Sequence, residues 1–230
     1  MAIFKELTSL WKSEDLLSQA WDESYKMMLI SNEMFDNAIT HLREGEKTKK
    51  LKKLKKRDRE INNFHKSVRK KVVTHFSVSK NVQDIPNGLV LLSIVVDVER
   101  LGDYTKNILD LAIHYPKPLI AEKLLTPLKE IEEQIHLMFI NVIRSIENND
   151  DQMAKKILKT YGKSLAGTSD KIVNNCIAGN HVFKDGSQAA SVVLYARYLK
   201  RIGAHLKNIS TTILNPYDYI GYKTPNNFDI

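Results

Sequence analysis

The sequence predicts an all-α protein made of two tandem three-helix bundles, with six long helices in total. Glycine and proline are scarce, at 9 and 6 of 230 residues, so long uninterrupted segments run between them. In these segments apolar residues recur at steps of three and four, which is typical of helices with one buried face. An internal repeat at an offset of 101 residues indicates the tandem arrangement: Arg100-Leu101-Gly102 recurs as Arg201-Ile202-Gly203, and Lys106-Asn107-Ile108 recurs as Lys207-Asn208-Ile209.

The first half is predicted to hold three helices, over residues 13–44, 47–76 and 88–114. Gly45 can end the first helix, because glycine readily adopts the left-handed conformation found at helix C-termini. The Pro and Asn-Gly content of QDIPNG, residues 83–88, predicts a loop before the third helix. The YPKP segment, residues 115–118, ends that helix, because proline blocks helical continuation and restricts the residue before it.

The second half repeats the pattern, with helices predicted over residues 119–147, 151–178 and 188–213. ENNDD separates the first two, and AGNHVFKDGS, residues 178–187, separates the last two. The first bundle therefore spans 13–116 and the second spans 117–214. A short amphipathic segment, residues 1–12, should pack over the first bundle or attach to a membrane surface or a partner. A Tyr-, Asn- and Pro-rich tail, residues 215–230, follows the second bundle.

The composition is that of a globular protein, with 43% hydrophobic and 27% charged residues. The single cysteine, Cys176, excludes an internal disulfide framework and fits a reducing cytosol. No run of about 18 or more apolar residues is present, so we expect no membrane span. The N-terminal MAIFKELTSLWK lacks the layout of a secretory signal. The sequence therefore predicts a cytoplasmic protein.

The net charge of +8 comes from one segment of the chain. Residues 47–71 contain thirteen Lys or Arg residues and two acids, a local balance of +11, so the rest of the chain carries −3. A run of this kind is usually a solvated helix face. In its most basic part, KTKKLKKLKKRDR at residues 47–59, Leu51 and Leu54 are the only apolar residues. The alternative interpretation is a docking face for an acidic partner or for the anionic inner leaflet of a membrane.

The third helix contains ERLGDYTKNI, residues 99–108, and the second half keeps part of the same pattern. The residues retained there are Ala196, Arg197, Arg201, Gly203, Asn208 and Ile209. Asp58, Ile61 and Asn62 of the second helix also fit. A signature of this form, in the third helix of each of two tandem three-helix units, resembles the PhoU family of phosphate-transport accessory regulators. The resemblance covers roughly residues 14–214.

The resemblance implies a non-enzymatic, cytoplasmic regulator of phosphate uptake and phosphate homeostasis. PhoU proteins associate with a phosphate ABC transporter and with a sensor histidine kinase, and relatives accompany sodium–phosphate symporters. The expected partners of this chain are therefore a transporter or symporter of phosphate and a sensor histidine kinase. Several members of the family form dimers, so a homodimer is expected as well, with peripheral membrane association as a further expectation.

The resemblance also implies a metal site, since PhoU proteins can bind metal clusters through paired acidic motifs on two helices. Glu99 and Asp103 lie one turn apart on one helix face, and His65 of the second helix is the candidate third ligand. Carboxylate with imidazole suits a divalent transition ion (zinc, nickel or iron) better than magnesium or calcium. The alternative is an interhelical salt bridge in which Arg69, one turn from His65, pairs with Glu99 or Asp103.

The second bundle departs from the family pattern at the same positions. Lys200 stands where the signature has Glu, and Ala204 stands where it has Asp. On the fifth helix Asp170 keeps one acid, with Asn174 one turn further on. A cluster of hard cations needs many anionic oxygens, so we expect no metal cluster in the second bundle.

No sequence motif indicates an enzyme. Gly162-Lys163-Ser164 resembles the end of a phosphate-binding loop, but Ile157 takes the place of its first glycine and no strand is predicted before it. HExxH, nucleophile-elbow and kinase signatures are absent. The alternative function is a basic helical nucleic-acid-binding protein or another adaptor. Its weakness is that no aromatic residues interleave with the lysine run and no reading motif is present, so nucleic acid is not an expected partner.

Overall fold

The computed structural model describes residues 15–45, 48–79, 81–115, 117–148 and 150–222. Over these residues the chain is helical and contains no strand, which confirms the predicted all-α fold of two tandem three-helix bundles. None of the helices in the described ranges combines the length and apolarity needed to cross a membrane. The amphipathic segment predicted over residues 1–12 lies outside the described residues, as does the tail after Tyr222.

The helices of the first half are α1 (Leu16–Glu44), α2 (Thr48–Lys55), α3 (Asp58–Val78) and α4 (Ile85–His114). Those of the second half are α5 (Leu125–Asn148), α6 (Asp151–Thr160), α7 (Ala166–Ile177) and α8 (Gly186–Leu214). The side chain of Asp15 begins α1 by accepting a hydrogen bond of 2.8 Å from the backbone N–H of Ser18. Gly45 ends α1 with a left-handed φ of 73°, which confirms its predicted role.

The prediction of a single helix over residues 47–76 is wrong, because the chain turns between α2 and α3. The turn is closed by backbone bonds from Lys56 N–H to the carbonyl of Lys53, 3.2 Å, and from Arg57 N–H to the carbonyl of Leu54, 3.0 Å. The turn lets α2 place Leu51 in the core at 1% exposure while its lysines remain in water. Burial of this side chain offsets the helical bonds that are lost at the turn.

The loop predicted over residues 83–88 is also wrong, because α4 begins at Ile85 and includes Pro86 and Gly88. Proline is compatible with the first turn of a helix, whose N–H groups have no partner within the helix. Gly88 allows α3 to approach closely, since a Cβ at this position would lie 2.2 Å from Cζ of Phe76. The Pro-Asn-Gly signal therefore marks a helix start and a close helix contact.

Two elements of the second half differ from the prediction. α5 begins at Leu125 and not at Leu119, whose backbone N–H instead donates to the carbonyl of Leu42, 2.9 Å away at the end of α1. The helix predicted over residues 151–178 is interrupted by a π-turn, Tyr161–Leu165. A π-turn inserts an extra residue into a helix. Here it brings Tyr161 and Leu165 against Gly203 of α8, where a built Cβ would lie 3.2 and 3.0 Å from their side chains.

The two bundles share a continuous hydrophobic core. In the first half α1 packs against α3 and α4, and in the second half α8 packs against α5, α6 and α7. The halves meet where α4 packs along α8 and where α1 contacts α5. At the second contact the rings of Phe35 and Phe139 lie 5.4 Å apart between centroids. Apolar contacts therefore continue from one half into the other.

The contact between α4 and α8 has a reciprocal pattern. Nδ1 of His205 lies 2.7 Å from Oδ1 of Asp97, and the ring centroids of Tyr104 and Tyr198 lie 6.2 Å apart. Asp97 and Tyr198 are separated by 101 positions, as are Tyr104 and His205. Replacing each residue by its equivalent in the other half therefore converts one contact into the other. This is expected when two similar units pack about an approximate twofold axis.

A buried polar cluster joins the halves at the end of α1. Arg43 forms an ion pair with Glu132 of α5 and donates a hydrogen bond of 2.7 Å to the carbonyl of Leu119. The hydroxyl of Tyr195 on α8 donates to Glu132 at 2.7 Å. Burial, with the charge of Glu132, raises the pKa of Tyr195 well above its ordinary value, so the phenol remains a donor. We call these three side chains the Arg43–Glu132–Tyr195 clasp.

Candidate functional site

The predicted site residues Glu99 and Asp103 lie on α4, near Asp58 at the start of α3. The guanidinium of Arg100 is 3.0 Å from the carboxylate of Asp103 and 3.6 Å from that of Glu99. The ammonium of Lys106 is 3.0 Å from Asp58 and 3.7 Å from Asp103. We call Asp58, Glu99 and Asp103 the acidic cluster. Its three carboxylates therefore face two cations, both of which come from α4.

The acidic cluster is not fully neutralised by these cations. Burial and the charge of Asp103 raise the pKa of Glu99, and Asp58 adds to this effect while Arg100 and Lys106 oppose it. Burial lowers the pKa of Lys106, but its hydrogen bond to Asp58 and the charges of Asp58 and Asp103 outweigh burial and raise it. A carboxylate with a raised pKa beside other acidic side chains is typical of functional sites.

The structure does not bring His65 together with Glu99 and Asp103 as a metal-binding group. No three His, Cys, Asp or Glu side chains are placed to hold a metal ion anywhere in the described ranges. Nε2 of His65 is buried without a hydrogen-bond partner. Burial, with the charges of Arg69 and Arg100, lowers the pKa of His65, so its imidazole is neutral at neutral pH. The imidazole is in the metal-binding form, but the present arrangement of the three side chains does not fit a metal ion.

The salt bridge that the sequence offered as an alternative does not involve Arg69. Among the residues the structure describes, Arg69 makes no ion pair with Glu99 or Asp103, and its charge acts on His65 instead. Arg100 and Lys106 take its place, because residues three positions apart on a helix are neighbours. The two acids thus face cations, mostly those of their own helix.

The corresponding face of the second bundle carries more basic than acidic side chains. Lys200, at the position equivalent to Glu99, places its ammonium 2.5 Å from the carboxylate of Asp170 on α7. Arg197 lies 3.1 Å from the same carboxylate, and Ala204 stands at the position of Asp103. In the described part of the chain, the acidic cluster of the first bundle therefore has no equivalent in the second.

A basic groove lies beside the acidic cluster. It has a volume of about 350 Å³ and is lined by Lys52, Lys55, Lys56, Asp58, Arg59 and Lys106. The sequence located the lysine run that forms one wall, but it did not indicate that Lys106 reaches this groove from α4. The only sequence signal at Lys106 was its place in the internal repeat. Asp58 and Lys106 belong to both features, so the basic groove and the acidic cluster adjoin.

The Gly162-Lys163-Ser164 stretch lies in the π-turn Tyr161–Leu165, within a helical run. A phosphate-binding loop presents its backbone N–H groups from an open turn between a strand and a helix. Here the hydroxyl of Ser164 lies within hydrogen-bond distance of two acceptors, the carbonyl of Thr160 at 3.1 Å and Oε1 of Gln134 at 3.0 Å. The local structure is therefore not that of a phosphate-binding loop.

Two solved structures share this architecture. The crystal structure of PhoU from Pseudomonas aeruginosa superposes with a TM-score of 0.74 at 17% identity, covering 86% of this chain and 95% of that one. The crystal structure of the phosphate transport system regulatory protein PhoU from Streptococcus pneumoniae gives a TM-score of 0.69 at 14% identity, covering 86% and 93% of the two chains. At these identities the likeness shows the fold alone.

The sequence itself carries the family relationship. A search among curated proteins finds no matching sequence. The family model of the PhoU domain, however, matches residues 25–112 and 128–213, one domain in each half. Since these two matches account for most of the chain, the protein belongs to the PhoU family.

Proposed function

We propose that this chain is a non-enzymatic, cytoplasmic regulator of phosphate uptake that acts by binding other proteins. Its partners would be a phosphate ABC transporter or a sodium–phosphate symporter, a sensor histidine kinase, or both. The match of the PhoU domain to both halves of the chain is the observation that carries the proposal. The structurally similar protein from Streptococcus pneumoniae is described as a regulatory protein of a phosphate transport system, which supports the same role.

The first bundle offers the surface best suited to docking. Its acidic cluster and its basic groove lie side by side, with Asp58 and Lys106 at their boundary. Adjacent patches of opposite charge steer a partner toward one orientation and disfavour others. With a membrane transporter as partner, the exposed lysines of α2 would also be attracted to the anionic inner leaflet. A homodimer would present two such surfaces.

Deletion of the gene in its own organism tests the proposed function. Phosphate-starvation genes should then be transcribed even when phosphate is plentiful, and phosphate uptake should no longer fall under that condition. The wild-type gene should restore both responses, whereas Glu99→Lys with Asp103→Lys should not, because it reverses the charge of the docking surface. Glu130→Lys with Glu133→Lys, an equal charge change at exposed positions of α5, is the matched control and should restore them. Unchanged transcription and uptake after deletion would contradict the proposal.

The metal site that the sequence predicts at Glu99, Asp103 and His65 would compete with the ion pairs of the acidic cluster. An ion bound there would have to displace Arg100 and Lys106 from the carboxylates, which costs two existing ion pairs. We therefore expect no saturable heat when zinc, nickel or iron(II) is titrated calorimetrically into the metal-free protein. A saturable isotherm that disappears in Glu99→Ala would contradict this expectation and establish a metal-binding function for the acidic cluster.

A further inference from the structure

The basic groove is built from three helices. α2 and the turn after it supply Lys52, Lys55 and Lys56, α3 supplies Arg59, and α4 supplies Lys106. α2 is fixed in place because Leu51 is buried in the core and Leu54 packs against it. The cations are therefore held on a folded scaffold, and the groove between them is shallow and open to solvent.

The groove contains more positive charge than its neighbours balance. Lys55 pairs with Asp110 and Lys106 pairs with Asp58. The other three cations, Lys52, Lys56 and Arg59, are exposed and have no acidic partner among the residues that the structure describes. Like charges held this close repel each other, so a bound anion would stabilise the folded arrangement.

The shape and chemistry of the groove restrict the kind of anion. A volume of about 350 Å³ exceeds what one phosphate group fills, and cations on several sides suit an anion with charge at more than one point. Lysine binds phosphate as a point charge, and the planar fork of arginine donates two hydrogen bonds to it. No aromatic side chain lines the groove, so a nucleic-acid base would find nothing on which to stack.

We propose that the basic groove is a binding site for a small soluble anion that carries several linked phosphate groups. Lys52, Lys56 and Arg59 bind its phosphate oxygens directly, and Lys106 closes the inner wall. This proposal goes beyond the regulatory function and does not depend on which protein partner is bound.

Isothermal titration of the full-length protein with inorganic triphosphate tests the site. The variant Lys52→Glu/Lys56→Glu/Arg59→Glu reverses the three unpaired charges. Its matched control is Lys155→Glu/Lys156→Glu/Lys159→Glu, which makes the same change in net charge at exposed positions of α6. Circular dichroism checks that both variants fold, and a Gln version of the groove variant replaces the Glu version if it does not.

Triphosphate should bind the wild-type protein, and its affinity should fall about tenfold or more in the groove variant. The affinity of the control variant should stay within about twofold of wild type, and orthophosphate should bind more weakly than triphosphate. Binding should weaken between about 50 and 200 mM salt.

Three results would overturn the proposal. The first is the absence of triphosphate binding at low salt. The second is an equal loss in the groove and control variants, which would mean that only net charge matters. The third is binding to phosphatidylglycerol vesicles that the groove variant loses and that triphosphate does not compete away, which would assign the groove to a membrane surface.

Discussion

Replacing Glu132 by alanine should lower the free energy of unfolding by about 3–5 kcal/mol, the largest single effect that we expect in this protein. Glu132 is buried in the Arg43–Glu132–Tyr195 clasp, where it accepts from a guanidinium and from a phenol. Alanine would remove the carboxylate that neutralises the partly buried guanidinium, which would keep only the carbonyl of Leu119, and would leave a fully buried hydroxyl without its acceptor. Denaturant unfolding followed by circular dichroism, with the wild-type protein alongside, measures the loss.

The matched control is Glu130→Ala, two residues earlier on α5, where the side chain is exposed. It should change stability by less than about 0.5 kcal/mol. The double variant Arg43→Met/Glu132→Leu should recover much of the loss, because a buried ion pair can often be exchanged for apolar side chains at little cost. Equal effects of Glu130→Ala and Glu132→Ala would show that the clasp does not stabilise the junction.

Replacing Gly102 by valine should lower the free energy of unfolding by about 1–3 kcal/mol. A Cβ at Gly102 would lie 2.7 Å from Cδ1 of Ile61, whose side chain is fully buried on α3, so Ile61 would have to shift within the core. Glycine costs about 1 kcal/mol relative to alanine inside a helix, and β-branched valine recovers only part of this, so the measured loss slightly understates the clash. Thermal unfolding and denaturant unfolding of the variant measure this difference.

Gly167 provides the control for the same substitution. It lies near the start of α7, it is exposed, and no atom comes within 4 Å of a Cβ built there. Gly167→Val should therefore leave stability unchanged or raise it slightly, since the only remaining effect is the loss of glycine's backbone freedom in the unfolded chain. If Gly102→Val is no more destabilising than Gly167→Val, the interpretation of Gly102 as a close-contact position on α4 is incorrect.

The helical periodicity of the sequence was sufficient to predict the fold, because every long helix has a buried face. The errors lie where tertiary contacts override local signals. Pro86 and Gly88 look like loop residues, yet Pro86 fits the first turn of α4 and Gly88 lies in close contact with Phe76 of α3. The π-turn Tyr161–Leu165 packs against Gly203 of another helix, and a local sequence pattern does not report such a contact.

The candidate site could be predicted only in part. Glu99 and Asp103 were located from their spacing and the family signature, and the structure places them together on α4. Their partners could not be predicted, because Arg69 from another helix and Arg100 from the same helix are equally compatible with a one-dimensional pattern. Lys106 was missed as part of the basic groove, since its approach to Asp58 depends on how α4 crosses α3. Both the choice between Arg69 and Arg100 and the position of Lys106 depend on contacts between helices, which a sequence pattern does not specify.

In a symmetric dimer of identical chains, residues related by the twofold axis must be the same, so the reciprocal contacts between α4 and α8 would be alike. Here two linked repeats place Asp97 with His205 in one contact and Tyr104 with Tyr198 in the other. Because the two repeats are parts of one chain, residues at equivalent positions can differ. The same freedom allows Glu99 and Lys200 at equivalent positions, so a partner that senses charge can tell one end of the protein from the other.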